Sequence, residues 1–456
     1  MKAHDFLAKA FLALLCLLSF RFQPANAQDV PAQADLRMYD IVEAVSAERL
    51  EADIRELADF GTRHTLSDTV SDTRGIGAAR RWIKQEFDQI SEACGSCLEV
   101  YYQRNMVKGD PDSRIKEDTW VVNVIAIQRG TEFPDRYVMM SGDIDSRASD
   151  VLDSEIDAPG ANDNATGMAG AIEAACVLTK YKFPSSIAYV GLSGEEQGLF
   201  GGKALADSAK AQGWEMIGVL NNDMIGNIEG VDGVIDNRTF RIFSEPIPPT
   251  TPEKQRRLMR YYGGEVDGIS RQLARYIHSI TEKYMPEMNP KMIYRLDRFG
   301  RGGHHRPFND VGFPGVRIME AHENYNRQHQ DIREEDGVEY GDVIEGVNFD
   351  YCAKLTAVNA ITMAGLALAP PAPENVKIGG AVQPSTTLAW DRPKAEGNLA
   401  GYKLYWRATT APQWEHSRFV GNISEYTLEG IVIDNYLFGV SSVGENGNES
   451  VSSPKD

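Results

Sequence analysis

The sequence predicts an α/β domain with a mostly parallel central sheet, followed by a small all-β sandwich. Three observations carry this. Between residues 28 and 370, helix-periodic stretches alternate with short apolar runs of strand length. Acidic residues follow three of those runs, at the carboxyl ends where parallel sheets gather functional groups. From residue 371 onward only short alternating segments occur, split by turn residues, with no helical period.

The first 27 residues stand apart. Lys2 and Lys9 precede the apolar run "FLALLCLLSF", and "ANA" at 25–27 offers small residues for cleavage. That pattern predicts a secretory signal peptide, too short to span a membrane, and a secreted or periplasmic chain. No later segment approaches the ~20 apolar residues that a membrane span needs. Without residues 1–27, 44 basic and 65 acidic residues remain, a formal charge of −21. So acidic a chain argues against nucleic acid and anionic membranes as partners. Hydrophobic content of 42% and charged content of 25% are those of an ordinary globular protein.

Taken in order, "RGIGAARRWIKQEFDQI" (74–90) and "GMAGAIEAACVLTKY" (167–181) read as helices. "WVVNVIAIQ", "RYVMMSG", "SIAYVGLSG", "MIGVLNNDMIG" and "FPGVRIME" read as strands. Cys94 and Cys97 in "CGSC" predict a local disulfide, with a redox motif as the alternative; Cys176 and Cys352 read as buried thiols. Asp143 and Asp145 follow "RYVMMSG" and, one residue apart in extended chain, share a face. Two such carboxylates repel unless a cation lies between them. Glu195 and Glu196 follow the next strand, and Asp223 the one after. Asp163 sits on the intervening loop "PGANDNATG". This concentration of acids calls for metal or protonation. Of eight histidines, His329 lies after a further strand end, and His304-His305 in "GRGGHHRPFND" form a pair suited to a substrate pocket. The stretch 228–300 reads as an insertion, a wall over the pocket or a structural helix pair.

"GDIDS", "GANDNATG", "GEE", "NNDMIG" and "QHQD", in this order, resemble the motif series of the zinc-dependent peptidase family M28, mostly aminopeptidases. The resemblance covers about 28–369 and includes "GTRHTLSDTVSDTRGIGAARRWI". It implies an α/β/α sandwich holding two divalent ions, zinc in the family, and a peptide substrate. Carried over by motif, Asp163 bridges the ions, Glu196 and His329 bind one, and Asp223 binds the other. Glu195 is the general base that activates a water between the ions. The chain departs from the family at one position. The usual histidine is Asp143, with Asp145 retained behind it as a supporting residue. The first ion would then see Asp143, Asp163 and Asp223, an all-oxygen set open to Mn, Mg or Ca. Asp145, deprived of its imidazole, would turn to Arg147.

Residues 371–456 resemble a fibronectin type III domain, with Trp390 before "GYKLYW" and Leu428 and Tyr436 at a corner. Such a domain implies a spacer or a module binding protein or surface polysaccharide. The function implied by the whole is an exopeptidase, an aminopeptidase. The alternatives are a carboxypeptidase, another amide hydrolase such as a glutaminyl cyclase-like enzyme, and a binding protein with a degenerate site.

Overall fold

The computed structural model describes residues 34–453. The expected signal peptide therefore lies outside the described residues. The core is an eight-stranded sheet built from β1 (Leu98–Val107), β2 (Thr119–Gln128), β3 (Phe133–Asp143), β4 (Ser185–Leu192), β5 (Glu215–Asn222), β6 (Thr239–Ser244), β7 (Asn289–Ile293) and β8 (Gly315–Glu320). Their spatial order is β1-β2-β4-β3-β5-β8-β6-β7. The four central strands, β4, β3, β5 and β8, run parallel. Antiparallel pairs at β1/β2, β2/β4 and β6/β8 flank them.

Strand alternation sorts side chains onto two faces. Val138 and Met140 of β3 join one core with Ile83 and Phe87 of helix Gly75–Ala93, Met168 and Ile172 of helix Thr166–Leu178, and Leu355 and Val358 of helix Phe349–Leu368. Tyr137 and Met139 join another with Leu205 and Ala209 of helix Phe200–Ala211 and with Phe308. The result is an α/β/α sandwich. Central strands buried on both faces explain the near-continuous apolar runs in the sequence.

Two readings are corrected here. The stretch 228–300 is more than a helix pair: it adds β6 and β7 to the sheet, with helix Ile269–Tyr284 packed behind them. Helix Phe349–Leu368 is long and apolar enough to cross a membrane by length and composition, contrary to the expectation for segments after residue 27. Here 89% of its apolar window is buried in the protein. A helix covered on all sides is apolar all round for that reason.

After Leu368 the chain forms two three-stranded antiparallel sheets, with a core that includes Trp390, Tyr402, Leu404 and Val440. The seam with the α/β body is polar and buried. Asp267 takes Arg275 of the body at 2.7 Å and Arg407 of the C-terminal sheets at 2.5 Å. Arg275 Nε also donates to the Pro412 carbonyl at 2.8 Å.

Candidate active site

The site forms at the carboxyl ends of β3, β4 and β5. Helix Thr166–Leu178 approaches the end of β3 so closely that a Cβ on Gly142 would lie 2.3 Å from the backbone of Gly167 and Met168. This contact brings the 160–165 loop, and Asp163 with it, over the strand ends. Asp342 holds that loop by accepting from the Asn162 and Asp163 N–H groups at 2.8 and 2.7 Å. Buried Arg63, from the "GTRHT" stretch, donates to the Ile144 and Gly160 carbonyls and ties the loop to the end of β3.

After β4, Gly194 takes a left-handed turn (φ +75°) that a side chain would disfavour. The turn presents Glu195 and Glu196. Asp145, 1% exposed, fixes it: Oδ1 accepts from the Glu195 N–H at 3.2 Å, and Oδ2 from the Glu196 N–H and the Thr65 hydroxyl, both at 3.0 Å. Arg147, expected beside Asp145, instead pairs its Nε with Glu196 Oε2 at 2.8 Å and reaches His329 Nδ1 at 2.7 Å. Asp145 instead has three neutral donors shared over its two oxygens.

Asp163, Glu196 and His329 converge. His329 Nε2 lies 2.9 Å from Asp163 Oδ2 and 3.0 Å from Glu196 Oε1. One ligand atom from each lies within 4.8 Å of the others, the one such group of three among the described residues. One imidazole and two carboxylates suit zinc, and catalytic zinc sites use three protein ligands and keep a position open. These residues therefore fit a divalent ion. From the protein groups alone, burial would raise Asp163 and Glu196, but the His329 imidazolium and its hydrogen bonds hold both below the usual carboxylate range. Burial would lower His329, but the two carboxylates raise it to about 9. A metal must displace that proton, so binding weakens as pH falls.

Glu195 lies beside this group, half-buried, with no hydrogen bond or ion pair at its carboxylate among the described residues. Burial first, then the charges of Glu196, Asp223, Asp143 and Asp163, push it well above the usual carboxylate value.

The other expected ligands are placed differently. Asp143, 2% exposed, meets His304 Nδ1 through Oδ1 at 2.6 Å and Asn164 Nδ2 through Oδ2 at 2.7 Å. Burial, then Asp145, pushes it well above the usual value, toward the neutral acid. Asp223 is paired with the buried Arg317, Nη2 to Oδ2, at 2.5 Å. The set Asp143, Asp163 and Asp223 therefore does not fit a second divalent ion: hydrogen bonds occupy one carboxylate and a guanidinium the other. His304 and His305, expected at a substrate pocket, are both 0% exposed and so reach no open surface among the described residues. They start helix His305–Asp310 against the sheet, where His304 holds Asp143 and His305 Nε2 meets the Leu296 carbonyl at 2.8 Å. Cys94 and Cys97 form a disulfide at the end of helix Gly75–Ala93, far in sequence from these residues.

Arg317, Arg298 and Asp342 were not singled out from sequence. Arg317 had a signal, being a charged residue inside the apolar strand run "GVRIME". Asp342 lies in a loop with no pattern to mark it.

Comparison with known proteins supplies the rest. Residues 123–344 match the model of peptidase family M28. A "Probable zinc metalloprotease" of Pyrenophora teres f. teres is 40% identical over 423 residues, covering 92% of this chain and 87% of that one. Among solved structures, the LapA aminopeptidase of Legionella pneumophila gives a TM-score of 0.52 at 16% identity, covering 75% of this chain and 78% of that one. A Macrostomum lignano glutaminyl cyclase gives 0.51 at 14% identity, covering 74% and 95%. The two structures share the fold.

Proposed function

Because this chain belongs to peptidase family M28, we propose that it is a metal-dependent exopeptidase, an aminopeptidase removing N-terminal residues from peptides in the secreted or periplasmic space. The observation that carries the reading is the convergence of Asp163, Glu196 and His329 beside a Glu195 carboxylate that has no partner among the described residues. Asp163, Glu196 and His329 would hold a divalent ion, which would supply Lewis acidity for a scissile carbonyl and a water.

The chain's own groups do the rest. Glu195 accepts the water's proton on a carboxylate oxygen and returns it to the leaving amine. Asp145 locks the 195–196 turn, so that one glutamate turns to His329 and its neighbour stays free. Arg147 steadies Glu196 from the opposite side. The basic-then-apolar N-terminal stretch and the Cys94–Cys97 bond support an oxidising compartment. We read the C-terminal sheets as a fibronectin type III module that docks protein or surface polysaccharide, on their alternating strands and buried Trp390.

The test is a panel of peptides with free or acetylated N-termini and free or amidated C-termini, run with zinc-loaded and chelated protein. Cleavage that needs zinc and a free N-terminus is expected. Cleavage that needs a free C-terminus makes the chain a carboxypeptidase. No hydrolysis by folded, zinc-loaded protein removes the exopeptidase reading.

A further inference from the structure

Behind the open trio, the site carries cations of its own. Arg317 lies in β8, next to β5, with its side chain 0% exposed. Its Nη2 sits 2.5 Å from Asp223 Oδ2. Its Nη1 is held in place by Asp297 Oδ1 at 3.1 Å and the Gly302 carbonyl at 2.9 Å. Arg298 brings a second guanidinium to 4.0 Å from the same Asp223 oxygen and is anchored to Glu323 at 2.9 Å. On the other side, His304 and Asn164 take one oxygen each of Asp143.

An arginine cannot shed its proton at any pH a protein survives. A divalent ion placed beside Asp223 would therefore face a fixed positive charge at close range, with little water to screen it. The arginine also does what an ion would do there, since it neutralises a buried carboxylate. Asp223 thus shares Arg317 with Asp297 and Arg298 with Glu323, an all-protein charge cluster, whereas Asp163 and Glu196, with Arg147 at the edge of Glu196, leave room for one divalent ion.

We propose that Arg317 stands in for a metal ion at Asp223, so that the chain holds a single divalent ion, at Asp163, Glu196 and His329. Arg317 is a positioning residue, sealed from substrate, that fixes Asp223 and the β5–β8 rim. The identity of the ion as zinc rests on the metallopeptidase reading; the count of ions rests on the ion pairs.

One atom makes the proposal easy to overturn. Asp223 Oδ1 is buried without a hydrogen-bond partner among the described residues, so it is the atom a second ion would take. The experiment is zinc titration calorimetry on chelated full-length protein, with elemental analysis after dialysis. Wild type is expected to hold one zinc per chain. Asp223→Asn is expected to keep that one zinc, whereas His329→Ala and Asp163→Asn weaken it by roughly 100-fold or more. Two tightly held zincs in wild type, or loss of a zinc in Asp223→Asn, overturn the proposal. Arg317→Met, if it folds, is expected to take up a second ion at raised zinc; a folded variant that still holds only one shows that the guanidinium is not what excludes it. Where Arg317→Met fails to fold, the wild-type count and Asp223→Asn decide. One zinc without peptide hydrolysis supports the count and removes the function. Two zincs with hydrolysis do the reverse.

Discussion

Replacing Asp145 with asparagine keeps the shape of the side chain and removes one acceptor oxygen. The carboxylate serves three donors: the Glu195 N–H on one oxygen, and the Glu196 N–H and Thr65 hydroxyl on the other. The best placement of the amide keeps the second pair and turns its NH2 toward the Glu195 N–H, donor against donor. One charge-assisted hydrogen bond is lost, worth about 1.5–3 kcal/mol, and a half-buried N–H is left unmet. Partial relief comes from Asp143, which Asp145 repels. A net cost of about 2 kcal/mol at the 195–196 turn is expected. If that cost falls on the placement of Glu195, kcat drops about 30-fold. The assay is steady-state hydrolysis of the preferred peptide, with zinc content and Tm measured on the same samples. The expected result is a lowered kcat with zinc retained. An unchanged kcat and Tm in Asp145→Asn would show that the carboxylate does not hold the turn.

Glu195→Gln should lower kcat by about 100-fold or more while leaving zinc content and Tm near wild type, because an amide cannot accept the proton; activity near wild type removes Glu195 as the base. Gly142→Ala forces a methyl into backbone 2.3 Å away, which no side chain can yield to, and should cost about 3 kcal/mol or block folding, read by Tm and soluble yield. Asp53 is raised to about 7, by burial first and then by Glu86 and Glu173. Its folded proton affinity exceeds the unfolded one, so its stabilising contribution is full below about pH 4 and is lost as pH rises through 7. Asp53→Asn should therefore raise Tm at pH 8 and not at pH 4, by an amount worth at most about 4 kcal/mol; an equal shift at both pH values refutes the linkage.

Much of the fold was legible because central parallel strands are apolar on both faces. "RYVMM" and "SIAYVGL" announce themselves, and their ends carry the acids. The edge strands were harder. β1, "LEVYYQRNMV", is half exposed, and β6 and β7 sit inside a polar stretch that reads as an insertion. Residues of the trio were legible because each follows a strand or leads a helix. The role of Asp143 was not. Two acids one residue apart suggest a shared cation, yet each finds its own donors from His304, Asn164, Thr65 and the 195–196 backbone, all distant in sequence. Arg317 pairs with Asp223 across 94 positions, and periodicity carries no information about such a contact. His304 and His305 misled for the same reason: a polar, glycine-rich context suggests an open loop, whereas the pair begins a short helix pressed against the sheet.

The seam at Asp267 bears on how the molecule comes apart. Two guanidiniums share one carboxylate there, and one of them belongs to the C-terminal sheets. Pulling those sheets away would leave Arg407 without its carboxylate and Arg275 without its Pro412 acceptor, both on a surface built to be dry. The penalty for exposing such groups half-paired makes separate melting of the two units costly. A calorimetric scan should thus show one heat-absorption peak rather than two. In the same way, a protease that nicks the Pro-rich joint at 370–373 should leave the fragments associated. The tail is expected to act as a keystone, not as a pendant.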